Sequence, residues 1–193
     1  MTLLNSGQLV RRQPIPWTEE EFDRVIAMGA FEDKKVELIN GTIYEGEIVN
    51  DPHAQAIRLV NYALLRVFPL PPYLISVQCP MRLAGSRPLP DFVVVEGDPR
   101  SVSEHPSTAL LVVEVADTTL EFDRIEKAEL YARNLLPEYW IVNLPQRCLE
   151  VHRDPFVIDN TGRYREIRTL AVESIITPAT RPSESVRVGE LLP

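Results

Sequence analysis

The sequence predicts an α/β protein of the mixed (α+β) kind, with a central sheet of mixed strand direction flanked by helices. Three observations predict it. Helix-period and strand-period segments are interleaved without strict alternation, which disfavours a doubly wound sheet. Two runs, 92–95 and 109–115, are dense in β-branched residues with no polar alternation, the pattern of strands covered on both faces. Finally, 193 residues with 45% hydrophobic and 25% charged content suffice for one substantial core and are short for two.

The elements follow in order. Thr18 and Glu21 have capping-box spacing, and Phe22, Val25 and Ile26 with Gly29 behind them predict a short amphipathic helix over 18–28. Residues 36–39 and 42–48 around Asn40-Gly41 predict a β-hairpin, because Asn-Gly supplies the positive φ angles of a tight turn. Asp51 as N-cap and Pro52 at the first helical position open a second helix. Its apolar positions, Ala56, Ile57, Val60, Ala63, Leu64 and Val67, recur at helical period until Pro69.

Strands are expected at 73–78, briefly at 81–83, and at the two buried runs. Residues 121–134 predict a helix with Phe122, Ile125, Ala128 and Ala132 inward, followed by strands over 138–144, 148–153 and 164–170. Residues 1–17 are expected to be an arm and 18–193 a single domain, with the last dozen residues loosely held.

Composition narrows the function. No apolar run approaches the ~20 residues that span a bilayer, and the N-terminus lacks the apolar core of a secretory signal, so a cytoplasmic location is expected. Cys79 and Cys148 stand far apart, as do His53, His105 and His152, which argues against a zinc site and suits a reducing compartment. A net charge of −8 argues against nucleic-acid binding by bulk electrostatics alone. It leaves room for a metal-dependent enzyme, whose acids hold the cation.

Asp91 starts one buried strand and Glu114 lies near the end of the next. If the strands pair antiparallel, both carboxylates reach the same edge of the sheet. Ionised carboxylates in so apolar a setting are costly without compensation, and a hard cation such as Mg²⁺ or Mn²⁺ is a sensible compensator. Lys127 is one of three lysines in the chain and shares a helix face with Asp123 and Tyr131 at i, i+4 spacing, which could aim its ammonium at that edge.

Glu37 alternates with Val36 and Leu38, which fits an outward-facing strand residue as well as a site acid. His53, at a helix start, reads as a surface or substrate-contacting residue. Gln78 reads as a substrate contact or a buried hydrogen-bonding group. Arg82, Arg87, Arg163, Arg165 and Arg168 offer local positive charge for phosphates, and Tyr139 and Trp140 read as core or interface residues.

Pro90-Asp91, Val113-Glu114-Val115, Asp123-Arg124 with Lys127, Leu130-Tyr131-Ala132-Arg133 and Pro137-Glu138-Tyr139-Trp140, in this order, resemble the Uma-two (Uma2) family of restriction-endonuclease-like proteins. Glu37-Leu38-Ile39-Asn40-Gly41 is similar to that family's early Glu-Leu-Ile-Asp-Gly hairpin, and His53 falls where its members often open the next helix with a histidine. The resemblance spans roughly residues 18 to 190. It implies a PD-(D/E)XK nuclease core in which Asp91, Glu114 and Glu37 are metal ligands and Lys127 is the catalytic lysine, with Tyr131 a possible substrate contact. The tight Glu-x-Lys spacing of the superfamily would place lysine at 116, where this chain has Ala116, so the lysine comes from the following helix.

The expected function is therefore Mg²⁺- or Mn²⁺-dependent hydrolysis of phosphodiester bonds in DNA, by a protein expected to be a homodimer. The alternative is a non-cleaving homodimeric nucleic-acid-binding or regulatory module that keeps the fold.

Overall fold

A computed structural model describes residues 14–46 and 50–193. Most of the expected arm, and the end of the hairpin's second strand, lie outside these residues.

The chain begins with α1 (Glu19–Ala27), closed by the anticipated capping box: Glu21 N–H donates to Thr18 Oγ1, and Thr18 N–H donates to the Glu21 carboxylate. The hairpin β1 (Val36–Ile39) and β2 (Thr42–Glu45) follows, turned by Asn40 and Gly41, both at positive φ. Next comes α2 (Asp51–Val67), capped by Asn50, whose side chain accepts from His53 N–H. The cap is thus one residue earlier than expected, and Pro52 takes the second helical position, because Asn50 is the last residue with extended backbone.

The main sheet holds six strands in the order β3-β4-β5-β6-β7-β8. They are β3 (Tyr73–Val77), β4 (Phe92–Glu96), β5 (Leu111–Ala116), β6 (Glu138–Asn143), β7 (Cys148–Ile158) and β8 (Thr161–Ala171). Every pairing is antiparallel except β5 with β6, which are parallel and need a crossover. That crossover is one continuous helical stretch: α3 (Leu120–Phe122), a π-helical turn (Asp123–Lys127) and α4 (Ala128–Arg133). Residues 81–83 form no strand; Leu83 makes only an isolated bridge to Ser86.

The two β-branched runs are buried because the sheet is covered on both faces. Phe92, Val94, Val113 and Val115 pack with α2 and the chain's end, while Val93, Val95 and Val112 pack with the crossover helix. Two expectations fail here. Ile125 is 60% exposed, because the π turn widens the helix locally and shifts which side chains face the sheet. The last dozen residues are held, since β10 (Val186–Arg187) pairs with β9 (Ile175–Ile176), and Val188, Leu191 and Leu192 complete the core beside α2.

Tyr139 and Trp140 are wholly buried within the single chain. Glu138, equally buried, accepts from Trp140 Nε1 at 2.8 Å, from Arg153 Nε at 2.9 Å and from Ala179 N–H at 2.7 Å. This stretch therefore ties β6 to β7 and to the C-terminal segment. Among the described residues no helix is long and apolar enough to cross a membrane.

Candidate functional site

Alternation along the strands puts both acids on the face that the crossover covers. On β4 and β5 the last paired residues are Phe92 and Val113, so Asp91 and Glu114 stand opposite each other one step further on. Backbone and carboxylates interlock there: Val115 N–H donates to Asp91 Oδ2 at 2.8 Å, and Asp91 N–H to Glu114 Oε2 at 3.3 Å.

The crossover supplies the remaining groups. Lys127 Nζ lies 3.0 Å from Glu114 Oε1, 3.5 Å from Glu37 Oε1 and 3.7 Å from Asp123 Oδ1. Tyr131 donates its hydroxyl to Glu114 Oε1 at 2.8 Å. Asp123, Lys127 and Tyr131 thus share one face, as their spacing suggested, even though the first two bound a π turn rather than an α turn.

Glu37 is buried at the site and not outward: its Oε2 accepts from Leu89 N–H at 3.1 Å, fixing the segment that leads into Pro90-Asp91. His53 is also buried, with Nε2 3.5 Å from Asp91 Oδ1, because its position in the first turn of α2 brings it over the end of β4. Gln78 donates to Asp91 Oδ1 at 3.2 Å and accepts from Lys35 Nζ at 3.3 Å.

All seven sequence-predicted site residues (Asp91, Glu114, Lys127, Glu37, His53, Gln78 and Tyr131) therefore meet in one neighbourhood. Sequence reasoning missed three. Asp123 was noted only as a helix-face neighbour, although an acid four residues before a candidate lysine was the available signal. Thr119, whose hydroxyl donates to Asp123 Oδ2 at 2.8 Å, and Lys35 carried no signal.

The predicted phosphate-contacting arginines fare differently. Arg87 is held by Glu19 and Asp23, Arg165 by Asp154 and Arg168 by Glu166, which leaves them little free charge. Arg82 and Arg163 are exposed.

Burial dominates the electrostatics. Burial opposes a charge on Asp91, but hydrogen bonds from His53, Val115 N–H and Gln78 outweigh it and hold the carboxyl below its ordinary range. Burial pushes Glu114 well above the usual carboxylate value; Lys127 opposes this, while Asp123, Asp91 and Glu37 reinforce it. Asp123 is pushed up to about 6 by burial, against the pull of Lys127 and the Thr119 hydroxyl. Burial disfavours the Lys127 ammonium, yet Glu114, Glu37 and Asp123 reverse the effect and raise it well above its ordinary value. The environment thus favours the anionic form of Asp91, while Glu114 and Lys127 depend on each other: burial favours a proton on Glu114, and a charged Glu114 is what most favours the Lys127 ammonium.

Glu37, Asp91, Glu114 and Asp123 border one cavity of about 170 Å³. Their oxygens are the hard donors that Mg²⁺ or Mn²⁺ takes, and among the described residues lining the cavity there is no cysteine or methionine. Among the described residues no three His, Cys, Asp or Glu side chains stand in closed ligating geometry; Glu37, Glu114 and Asp123 share the Lys127 ammonium, and Asp91 faces His53.

Comparison with known proteins gives a consistent picture. A family model, Uma2, described as "Putative restriction endonuclease", matches residues 19–185. A solved structure from Anabaena variabilis ATCC 29413, described as a "putative nuclease belonging to DUF820", superposes with a TM-score of 0.70 over 91% of this chain and 97% of that one, at 13% identity. At that identity the likeness is one of fold. No curated protein matches the chain.

Proposed function

The chain belongs to the Uma2 family, and from that premise we propose that it is a divalent-metal-dependent nuclease hydrolysing phosphodiester bonds in DNA at the Asp91-Glu114-Lys127 site. One observation carries the reading: two acids 23 residues apart in sequence interlock across β4 and β5, with a buried lysine 3.0 Å from one of them.

In this reading Asp91, Glu114 and Glu37 hold the metal. When bound, Mg²⁺ or Mn²⁺ lowers the pKa of a water and neutralises charge developing on the phosphate. Asp91 offers a carboxylate already ionised and oriented by His53, Gln78 and the Val115 N–H. Tyr131 fixes the rotamer of Glu114. The Lys127 ammonium sits where it can orient the attacking water or balance phosphate charge. Lys35 and Gln78, which border the cavity, are the polar groups outside the acid cluster that meet the substrate.

The test is plasmid cleavage with added Mg²⁺ or Mn²⁺. Wild type is expected to nick or linearise DNA, and Asp91→Asn and Glu114→Gln to abolish cleavage while keeping the far-ultraviolet circular dichroism. Metal-dependent cleavage surviving in both variants would overturn the assignment. Wild type that leaves DNA intact at high Mn²⁺ favours a non-cleaving module, for which the charge-balanced cluster around Lys127 serves as structure.

A further inference from the structure

The β8 edge of the sheet carries a feature the nuclease reading does not use. β8 is eleven residues long, contains no proline and ends the six-stranded order. A long, proline-free edge presents backbone donors and acceptors that invite another strand. The opposite edge is less inviting: β3 has five residues and is preceded by Pro69, Pro71 and Pro72.

The edge is also apolar on one face. Ile167 on β8 and Ile125 on the π turn are each 60% exposed and line the same cleft between crossover helix and sheet. On the other face Arg168 Nε lies 2.6 Å from Glu166 Oε1, so acid and base stand side by side, two residues apart, flanking Ile167.

We propose that β8 pairs antiparallel with β8 of a second copy of this chain, about a two-fold axis centred on Ile167. Two-fold antiparallel pairing sets the residue before the centre against the residue after it. Centred on Ile167, Glu166 faces Arg168 of the partner subunit, and the same contact repeats in reverse. Ile167 meets its own counterpart on the helix-bearing face, beside both copies of Ile125. Centring on Glu166 or Arg168 instead opposes two like charges, which destabilises a directly opposed pair. Of the centres 166, 167 and 168 the charge pattern favours Ile167, and at that centre a second copy supplies the complementary charges on both sides. A two-fold axis perpendicular to the sheet keeps both crossover helices on one face and joins the sheets into one of twelve strands, from six in each copy. The inference does not depend on the nuclease reading.

The test uses the full chain and sedimentation velocity across the micromolar range. Wild type is expected to be a dimer. Ile167→Asp, at a position exposed in the single chain, should be monomeric while keeping the far-ultraviolet circular dichroism of wild type, with a melting temperature that no longer depends on concentration. Glu166→Arg and Arg168→Glu should each weaken self-association by at least about ten-fold. Mixed together, the two single variants should form a heterodimer, since every cross-strand contact then joins an acid to a base. Within each variant chain the Glu166 and Arg168 pair is lost, so recovery on mixing reports an intermolecular contact. A monomeric wild type, which leaves the edge to a different partner, overturns the proposal. So does a dimer indifferent to Ile167→Asp, or single variants that fail to associate when mixed.

Discussion

Glu114 Oε1 accepts from both Lys127 and Tyr131, while Oε2 accepts from Asp91 N–H, so this carboxylate is held at three points. Truncating one donor should therefore misplace it without emptying the site. Tyr131→Phe is expected to cost about 1–3 kcal/mol in denaturant unfolding, the penalty for a buried acceptor left short. It should also lower cleavage roughly 10- to 100-fold, the range for groups that orient metal ligands. Lys127→Met is expected to act differently: turnover is lost, while affinity for Mn²⁺ measured by calorimetry rises, because the internal cation sharing Glu114, Glu37 and Asp123 is gone. Unchanged or weaker Mn²⁺ binding in that variant would show that the ammonium does not compete for these acids.

Among the elements, the crossover and the β7-β8 hairpin depend on each other. Gly162 lies against α4, and a Cβ built there runs into the backbone of Arg133 and Glu129. Its N–H donates to Glu129 Oε1 at 3.1 Å, which closes the contact. Gly162→Ala should therefore push the hairpin off the helix and cost about 1–3 kcal/mol, as overpacking of a tight contact does; a denaturant midpoint equal to wild type would contradict this. The π turn is the other decisive element. It widens the helix between Asp123 and Lys127, so both reach the acid cluster while Ile125 turns outward. The apolar pattern of 121–134 made the helix legible, but not the turn. A single inserted residue in the hydrogen-bond ladder leaves the local composition unchanged.

On acidification the molecule as a whole is pulled two ways: Asp123 and Glu114, whose pKa values are raised, add stability as they take up protons, while two groups outside the site lose it. Burial lowers the pKa of His152 below its ordinary 6.5, and both ring nitrogens lack a hydrogen-bond partner among the described residues. The unfolded chain then binds a proton first, so stability falls as pH drops below that value. Burial opposes a charge on Glu150, but Arg124 and Asn143 outweigh it and lower its pKa. Its contribution is complete above the unfolded carboxylate value and is lost as pH falls through the depressed one. Comparing melting temperatures of wild type and His152→Phe isolates the first group: the variant should gain on wild type as pH falls from about 7 to about 5, and an unchanged difference across that range would refute the His152 assignment.

The sequence by itself determined the six strands of the main sheet, the hairpin turn, α1, α2 and the helical crossover, because periodicity, β-branching and turn chemistry act over a few neighbouring residues. Only the tertiary structure decided that His53 and Gln78 stand against Asp91, that Asp123 joins the acids around Lys127, that Ile125 faces solvent, and that the C-terminus completes the core. A β-branched run can announce a strand covered on both faces, but which residues cover it comes from elsewhere in the chain, and no local pattern encodes that.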